Sequence, residues 1–550
     1  MTKNILSILL IFSTGIILRF YLLGAVPNGL TTDEADIGYN AYSIIQTGKD
    51  VYGRPYPLYF QSFNDYKPGL PNYLQIPFIY TFGLTDVSVR VLPAILGSLI
   101  PLLVFWLIRL MYPRYRLLPF IAMVLSAVAP WQIAISRIEP GFTFSLFLYL
   151  LVFINFYLAI NKNIKYLTLS AFFIAISFYA YYASIIYAPL IAFLLLAIYH
   201  RVLFKNIKTV ILAALIFFTV SAAAILNFAS SQGRTRLNSI NIFTPDISLP
   251  TSIQEMQYDA AAKNPLAAVI HNRRIVYANA FLDNYFDFYN LDYLFVNSAR
   301  IRYFYTNYTG LFYLLEVAFV LYGLGVMVKR KLKSDLFVIA LLLIGPIPGA
   351  IVQGAAYPHR ALLFLLTLQV VSAIGFTTFV AHIKNKLFGK AFILLVFTVY
   401  LISVSFFLHQ YFVHSRYEFS NENNNGAWLS SEVKKAIPVV AKYQNSYDKI
   451  IFSWYIPKLA PAVYFMFYQN LDPRPFQEKA AQWTKDPPHF RQIYSQIGKI
   501  EFRPINWERD KKLKNTLLIG YPSEFPRNAQ KVIDRTFKDN GQTHFMLVAP

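Results

Sequence analysis

The 550 residues include no cysteine, which excludes thiol catalysis, cysteine-ligated metal centres and disulfide bonds. Charged residues are also scarce: they form 14% of the chain, whereas about a quarter of an ordinary soluble protein is charged. Hydrophobic residues form 56%. This balance predicts an integral membrane protein.

Acids are the scarcer charge, since 28 Asp and Glu stand against 50 Lys and Arg, which leaves a net charge of +22. Such an excess would suit a nucleic-acid partner if the basic residues formed one surface. Most of those that precede the C-terminal tail instead lie in short loops between apolar segments. We therefore expect membrane lipids, and no nucleic acid, as partners.

Long apolar runs dominate the first three quarters of the sequence. Crossing about 30 Å of hydrocarbon takes about 20 residues. The first run could be a secretory signal, but it lacks a small-residue cleavage site and Arg19 interrupts it, so we expect an uncleaved helix. The sequence predicts about eleven transmembrane helices, at residues 4–24, 87–111, 117–136, 141–160, 166–183, 184–200, 209–228, 309–328, 336–353, 360–381 and 391–412.

Alternate loops between these runs differ in charge, which predicts the orientation. One set carries a single acid, Asp335, and many basic residues: Arg109, Arg114, Arg116, Lys162, Lys165, Arg201, Lys205, Lys208, Lys329, Arg330, Lys331, Lys333, Lys384, Lys386 and Lys390. The positive-inside rule places these loops and the N-terminus in the cytoplasm of a plasma-membrane protein. The other side, here called the outer side, receives loops 25–86 and 229–308 and the tail 413–550.

The tail differs in composition from the membrane region. It is polar and basic, with short apolar runs at 449–454, 516–520 and 543–548 that are typical of strands. A helical stretch separates two of them at Ala462 to Tyr468. We therefore expect a transmembrane domain over 1–412 and a small extracytoplasmic α/β domain over 413–550. Short surface helices are expected at Tyr39 to Ile45 and Asn72 to Phe82.

An acidic motif follows the first apolar run. Asp33 and Glu34 are adjacent, and Asp36 lies close behind them. Thr31 and Glu34 have the spacing of a capping box, so a helix is expected to begin here. One interpretation is structural, because acids in a first helical turn offset the helix dipole. The other is catalytic, because a carboxylate can take a proton from an attacking hydroxyl.

Other polar residues fall at the same predicted membrane boundary. Ionisable groups beside membrane helices are costly, which makes them functional candidates. Snorkelling to lipid headgroups is the alternative for each cation, and Arg137 with Glu139 could form a simple ion pair. The candidates are Lys67, Arg90, Arg137, Glu139, Arg300, Arg302, Tyr357, His359 and Arg360. A base beside several cations suits transfer from a phosphate leaving group, and a membrane protein favours a lipid-borne phosphate.

At these residues the chain resembles the membrane-embedded GT-C glycosyltransferases that use polyprenyl-phosphate sugars, in particular the protein O-mannosyltransferase and aminoarabinose-transferase branch. Asp33-Glu34 resembles the signature acidic pair of that group. Tyr66 to Leu70 is similar to its Lys-Pro-Pro-Leu element, with Gly69 replacing the second proline. Arg90 to Gly97 is similar to its second-helix opening, and Ser136-Arg137 to the arginine that enters its fourth helix. The resemblance covers about residues 1–412.

The resemblance implies an inverting transfer of a sugar from a polyprenyl phosphate to a hydroxyl. Asp33 would be the base, Glu34 would support it, and Lys67 would contact the lipid phosphate. Arg137, Arg302, His359 and Arg360 complete the expected phosphate-binding set, and Arg90, Glu139 and Tyr357 are further candidates. Pro140-Gly141 after Glu139 departs from the pattern of many relatives. Metal use varies in this group, so a divalent cation is compatible, although no His/Asp cluster predicts a metal site.

Two other functions stay open at this point. A lipid-linked sugar flippase or transporter would place charged and helix-breaking residues near the bilayer midplane and show two matching halves. An oligosaccharide polymerase or ligase would share the basic outer loops and the lipid-linked donor. The sequence leaves the sugar and the acceptor (a glycan, a lipid or a protein) undetermined.

Overall fold

The computed structural model describes residues 2–63, 65–230, 233–234, 240–243, 245–298, 308–354, 356–383, 388–414, 429–453, 461–482, 495–526, 532–537, 541 and 543–550. The described chain is mostly helical as far as residue 414 and mixed α/β beyond it. This confirms the predicted class, a polytopic helical membrane protein with a C-terminal α/β region.

Each of the eleven predicted membrane segments contains a helix. The helices are α1 (Thr2–Phe20), α4 (Asp86–Met111), α5 (Leu118–Val128) with α6 (Pro130–Ile135), α7 (Pro140–Asn161), α8 (Tyr166–Ile176), α9 (Ser184–Lys205), α10 (Ile207–Ala229), α15 (Glu316–Arg330), α16 (Lys333–Ile344) with α17 (Ile347–Ala350), α18 (Leu362–Ile383) and α19 (Gly389–His409). Among the described residues, seven helical spans are long and apolar enough to cross a membrane, and α1, α5 and α8 are shorter apolar helices.

Three of the predicted segments are broken, and segment 336–353 is split between α16 and α17 at Gly345 and Pro346. Pro130 has no N–H to donate, so segment 117–136 splits into α5 and α6 at Ala129, whose ψ of 129° is extended. Segment 166–183 ends its α-helix at Ile176 and continues as a 3₁₀ turn, Ser177–Tyr179. The breaks in segments 117–136 and 166–183 lie at the outer end of the bundle, the end that carries the loop 25–86 and the tail.

The loop 25–86 folds into two helices and a hairpin, which are α2 (Thr32–Thr47), β1 (Tyr59–Ser62), β2 (Asp65–Pro68) and α3 (Leu70–Phe82). The antiparallel hairpin pairs Phe60 with Lys67 and was not predicted. The helices expected at Tyr39 to Ile45 and Asn72 to Phe82 are present, but α2 is not a surface helix, since Glu34 through Ala41 are all buried. The second outer loop contains α11 (Pro245–Ala261), α12 (Ala267–Ile270), α13 (Arg273–Asp287) and α14 (Leu291–Phe295).

The tail forms a six-stranded sheet in the order β4-β5-β3-β6-β8-β7, in which β3 is parallel to both β5 and β6. Its elements are α20 (Leu429–Tyr443), β3 (Lys449–Phe452), α21 (Pro461–Tyr468), α22 (Arg474–Ala481), β4 (Gln496–Ile497), β5 (Ile500–Phe502), α23 (Trp507–Asp510), β6 (Thr516–Gly520), β7 (Val532–Phe537) and β8 (Thr543–Val548). The three predicted strands and the helix at 462–468 are confirmed.

One hydrophobic core joins the tail to the loop 25–86. It contains Leu30, Ala35 and Tyr39 from the loop together with residues of α20, α21 and the sheet. Helix α21 lies between this sheet and α2, and α2 in turn packs beside α4. The acidic motif therefore lies where the tail meets the membrane helices.

Candidate active site

The acidic motif begins α2 as the sequence predicts. Thr31 is the N-cap: its hydroxyl accepts a hydrogen bond from the Glu34 amide at 3.0 Å, and its own amide donates to Glu34 Oε2 at 2.7 Å. This reciprocal pair satisfies two amides that a helix start leaves without partners. The cap fixes the first turn of α2, which contains Asp33 and Glu34, at the outer end of the bundle.

Glu34 is a buried structural acid. Arg90 Nε donates to Glu34 Oε1 at 2.8 Å, and neither side chain exposes surface. The Arg90 guanidinium also donates to the carbonyl oxygens of Leu23 (3.3 Å), Pro27 (2.8 Å) and Gly29. Arg90 therefore joins the connection after α1 to the start of α4 and to α2. These contacts occupy Arg90 within the protein, so we do not include it among the groups that face a substrate.

Asp33 points the other way and is the accessible member of the pair. Its side chain is 43% exposed, and its Oδ1 accepts a hydrogen bond from Lys67 Nζ in a salt bridge. Lys67 lies in β2 and is itself only 13% exposed, because the hairpin and neighbouring loops cover its stem. The structure thus brings together the two residues that the sequence predicts as base and phosphate ligand.

Lys67 is surrounded by acids. Burial lowers its pKa, but the charges of Asp33, Glu139, Asp65 and Asp36 more than offset this and hold its pKa above the ordinary value. Lys67 is therefore a permanent cation at neutral pH. Asp65 and Lys67 project from the same face of β2 because side chains alternate along a strand. That alternation is the signal by which Asp65 could have been found from sequence.

Asp36 is the most deeply placed of these acids. Burial raises its pKa to about 7, and Lys67 and a hydrogen bond from Ser62 offset only part of this effect. Asn40 Nδ2 donates to Asp36 Oδ1 at 3.1 Å. Asp36 is thus a neighbour of the site that changes charge near neutral pH.

Glu139 and His359 lie just before two membrane helices, Glu139 before α7 and His359 in the 3₁₀ turn that precedes α18. Glu139 is the residue before α7 and contributes to the electrostatic environment of Lys67. Two residues later, Gly141 allows close packing, because a Cβ at that position would lie only 3.2 Å from the carbonyl oxygen of Ala180. The ring of the next residue, Phe142, stacks on His359 with centroids 4.3 Å apart and planes 17° apart. The departure at Pro140-Gly141 thus permits close packing and leaves Glu139 near Lys67.

Arg360 lines a small polar-edged cavity at the outer end. It belongs to the 3₁₀ turn Pro358–Arg360, its Nη1 donates to the carbonyl of Gln353 at 3.1 Å, and its guanidinium lies 4.4 Å from the centre of the Tyr357 ring. The cavity has a volume of about 260 Å³ and is also lined by Tyr181 and Tyr182. These two tyrosines were missed because an aromatic turn between helices carries no charge signal.

A larger apolar cavity adjoins it. Its volume is about 630 Å³, and Ile185 and Phe228 line both cavities. Its walls come from α7, α8, α9 and α10 and include Ile174, Phe178, Ala188, Ala213 and Phe217. The hairpin that bears Lys67 packs at the outer end of the same helices, where Tyr59 donates to the carbonyl of Phe178 at 3.3 Å.

Arg137 is predicted as a phosphate ligand, but the structure gives its guanidinium a different role. Nη1 donates to the carbonyl oxygens of Leu18 (3.1 Å) and Arg19 (2.8 Å), and Nη2 to those of Tyr21 (2.7 Å) and Val26 (2.9 Å). Leu18 and Arg19 belong to the last turn of α1, whose carbonyls lack helical partners, and Tyr21 and Val26 lie in the connection that follows. Because the side chain is fully buried among them, we remove Arg137 from the phosphate-binding set.

Two of the candidate cations, Arg300 and Arg302, lie outside the residues that the structure describes. Within the described ranges, no group of three or more His, Cys, Asp and Glu side chains is arranged to hold a metal ion.

No protein-family model matches this chain, and no curated protein sequence matches it. Solved structures do. ArnT from Cupriavidus metallidurans in the apo state superposes with a TM-score of 0.55 at 10% identity, covering 98% of this chain and 97% of that one. The same protein bound to undecaprenyl phosphate gives 0.53 over 99% of both chains. An Archaeoglobus fulgidus oligosaccharyltransferase in the apo form gives 0.51 at 14% identity, covering 94% of this chain and 69% of that chain.

The chain shares the fold of ArnT. The ArnT superposition extends through the tail, so the α/β region is part of the shared architecture. At 10–14% identity the comparison establishes a shared fold and nothing finer. The roles proposed for Asp33, Lys67 and Arg360 therefore rest on the geometry of these residues in this chain.

Proposed function

We propose that this protein is an inverting glycosyltransferase that moves a sugar from a polyprenyl phosphate to an acceptor hydroxyl at the outer face of the membrane. The observation that carries the proposal is the Asp33–Lys67 pair. It joins an accessible carboxylate to a buried, permanently charged lysine at the outer end of a GT-C bundle. A base and a phosphate ligand are the two groups that this transfer requires.

The cavities supply room for the donor. Arg360 at the edge of the smaller cavity, with Lys67 on the neighbouring hairpin, would hold the phosphate. The adjoining apolar cavity would hold part of the polyprenyl chain, since its walls are almost entirely hydrocarbon. ArnT has been solved with undecaprenyl phosphate bound, and its fold is shared over the whole chain. A polyprenyl phosphate is therefore the donor class that we assign.

In the proposed reaction Lys67 first binds the donor phosphate, and Asp33 then acts as the base. Donor phosphate competes with Asp33 for Lys67, so donor binding frees the carboxylate. The acceptor oxygen attacks the anomeric carbon and forms the new C–O bond while its proton passes to Asp33. The bond from that carbon to the phosphate oxygen breaks, and the phosphate leaves with the electron pair, neutralised by Lys67 and Arg360. Attack opposite the leaving group inverts the anomeric carbon.

The alternatives fit less well. The acids and cations discussed above gather at one end of the described helix bundle, whereas a transporter is expected to bind its cargo near the midplane. The accessible carboxylate paired with Lys67 has no evident task in a flippase. An oligosaccharide polymerase would use the same donor class, and identification of the product in the assay below distinguishes it.

The test is transfer by purified protein supplied with different polyprenyl-phosphate sugars, scored by released polyprenyl phosphate. Asp33→Asn should lower turnover about 10²–10⁴-fold, because general-base assistance has that magnitude, while donor binding persists. The N-cap of α2 is Thr31, which the substitution leaves in place, so α2 should still form. Asp472→Asn is the matched control, because Asp472 is an exposed acid of the tail paired with Arg474. Near-normal transfer by Asp33→Asn would remove the catalytic assignment. The assay is run with and without EDTA to determine metal dependence.

A further inference from the structure

Helix α21 of the tail is buried and lies between the tail sheet and α2, the helix that carries Asp33. Every residue from Pro461 to Phe467 is buried. The approach to α2 is close, because a Cβ on Gly38 would lie 2.7 Å from Phe467 Cε2 and 2.8 Å from Val89 Cγ2. Helix α2 is thus wedged between α21 and the membrane helix α4, with Gly38 at the contact.

The tail also contacts the first turn of α2 through one hydroxyl. Tyr464 is fully buried, and its Oη donates to the carbonyl of Leu30 at 3.3 Å and lies 3.2 Å from Thr32 Oγ1. Thr32 precedes Asp33 in the sequence, and Leu30 precedes the N-cap. A single tail side chain therefore contacts the backbone before the cap and the side chain of the residue after it.

A second contact fixes the membrane helix beside it. Tyr468 donates to Asp86 Oδ1 at 2.8 Å, and Lys434 Nζ lies 2.8 Å from Asp86 Oδ2. Asp86 begins α4 one turn before Arg90, the partner of Glu34. Farther along α2, Gln477 Nε2 donates to Thr47 Oγ1 at 2.8 Å. The tail thus contacts α2, whose first turn carries Asp33 and Glu34, and α4, which carries Arg90 one turn after its start.

We propose that the tail domain orients the catalytic base and that Tyr464 is the positioning residue through which it acts. The inference rests on the proposed function. Asp33 itself is partly exposed, so its direction is set by the backbone of the first turn of α2. The Tyr464 hydroxyl contacts that turn from the tail, in addition to the Glu34–Arg90 pair that joins it to α4. The tail is on this account a structural part of the active site, whatever acceptor it also contacts.

The test uses full-length Tyr464→Phe, which removes the hydroxyl and keeps the ring in its buried site. Hydrogen exchange of the Glu34 and Ala35 amides should become roughly 5–10-fold faster, the equivalent of one lost hydrogen bond. The kcat for sugar transfer should fall roughly 5–100-fold, with KM for the polyprenyl-phosphate sugar within about twofold, because misplacement of a base affects the chemical step. Thr32→Val, which removes the other partner of the hydroxyl, should show the same pattern.

Tyr443→Phe is the matched control. Its hydroxyl donates to Asp534 at 3.0 Å within the tail, away from α2. If Tyr464→Phe equals this control in exchange or in kcat, the positioning role is overturned. A fall in kcat without faster exchange would also overturn it, since the hydroxyl would then act on substrate directly. If Asp33→Asn retains turnover, the assignment of Asp33 as the base fails and the positioning role is overturned with it. The proposed function fails instead if the wild-type protein transfers sugar from none of the polyprenyl-phosphate sugars.

Discussion

Arg90 Nε lies 2.8 Å from Glu34 Oε1, and both side chains are completely withdrawn from solvent. The two adjacent acids of the motif therefore have different surroundings. The cap of α2 places Glu34 in the buried pair and leaves Asp33 beside Lys67. The helix-start interpretation and the catalytic interpretation of the motif thus apply to different residues.

Breaking the buried pair should destabilise the protein. Arg90→Gln removes the charge partner of Glu34 and should cost about 3–5 kcal/mol, the usual result when one ion of a buried pair is left alone. The measurement is the apparent Tm and the yield of monodisperse protein in detergent. Lys511→Gln is the control, because its partner Glu508 lies on the surface. An unchanged Tm would contradict the structural role.

Arg360 and Arg137 should respond differently to substitution. Arg360→Ala should weaken binding of polyprenyl phosphate at least tenfold, and Arg360→Lys should recover part of it, because a fork of donors becomes a point charge. Arg137→Gln should lower the apparent Tm, because it leaves backbone carbonyls without donors, while the affinity of the protein that remains folded is unchanged. Equilibrium binding of polyprenyl phosphate measures both. Unaltered affinity in Arg360→Ala would return Arg360 to a lipid-facing role.

The buried Asp36 predicts a pH dependence of stability. Its pKa is raised to about 7 in the folded protein, so the folded state binds more protons than the unfolded state between about pH 4 and 7. Its contribution is therefore fully present below pH 4 and is lost as the pH rises through 7. Between pH 5 and pH 8 the apparent Tm of wild type should fall more than that of Asp36→Asn. Parallel curves for the two proteins would show that Asp36 does not titrate in this range.

The absence of cysteine makes the orientation directly testable. Ser446 is exposed in the tail, so Ser446→Cys introduces a single thiol. The charge bias predicts that this thiol reacts with an impermeant reagent in intact cells. Labelling that requires lysis would reverse the orientation and move the site to the cytoplasmic face.

The sequence predicted those parts of the fold that depend on local pattern. Apolar runs of sufficient length located the membrane helices, and short apolar runs in the tail located β3, β6 and β8. The α2 cap was predictable because Thr31 and Glu34 act within one turn. The β1–β2 hairpin and the packing of α21 against α2 were not predicted. Both depend on contacts between separate segments, and no segment has a sequence pattern that indicates its partner.

The candidate site shows the same division. Asp33 and Lys67 were identified as candidates, and their contact follows once the hairpin has formed. In the sequence Arg137 resembles a phosphate ligand. The residues around it do not indicate that its guanidinium will instead bind backbone carbonyls at and after the end of α1. An arginine near a membrane boundary can neutralise a ligand or complete a backbone, and only the three-dimensional arrangement distinguishes the two.

The hydrogen bond between Thr32 and Tyr464 connects residues 432 positions apart. Contacts of such separation form late, because the chain between them must first be ordered. During synthesis the membrane helices would insert while α2 still lacks its cover of α21. Helix α2 would reach its final environment only after α21 and the strands that pack on it had been made. A ribosome that stops before α21 would thus release an inserted protein in which the first turn of α2, with Asp33, lacks its contacts to the tail.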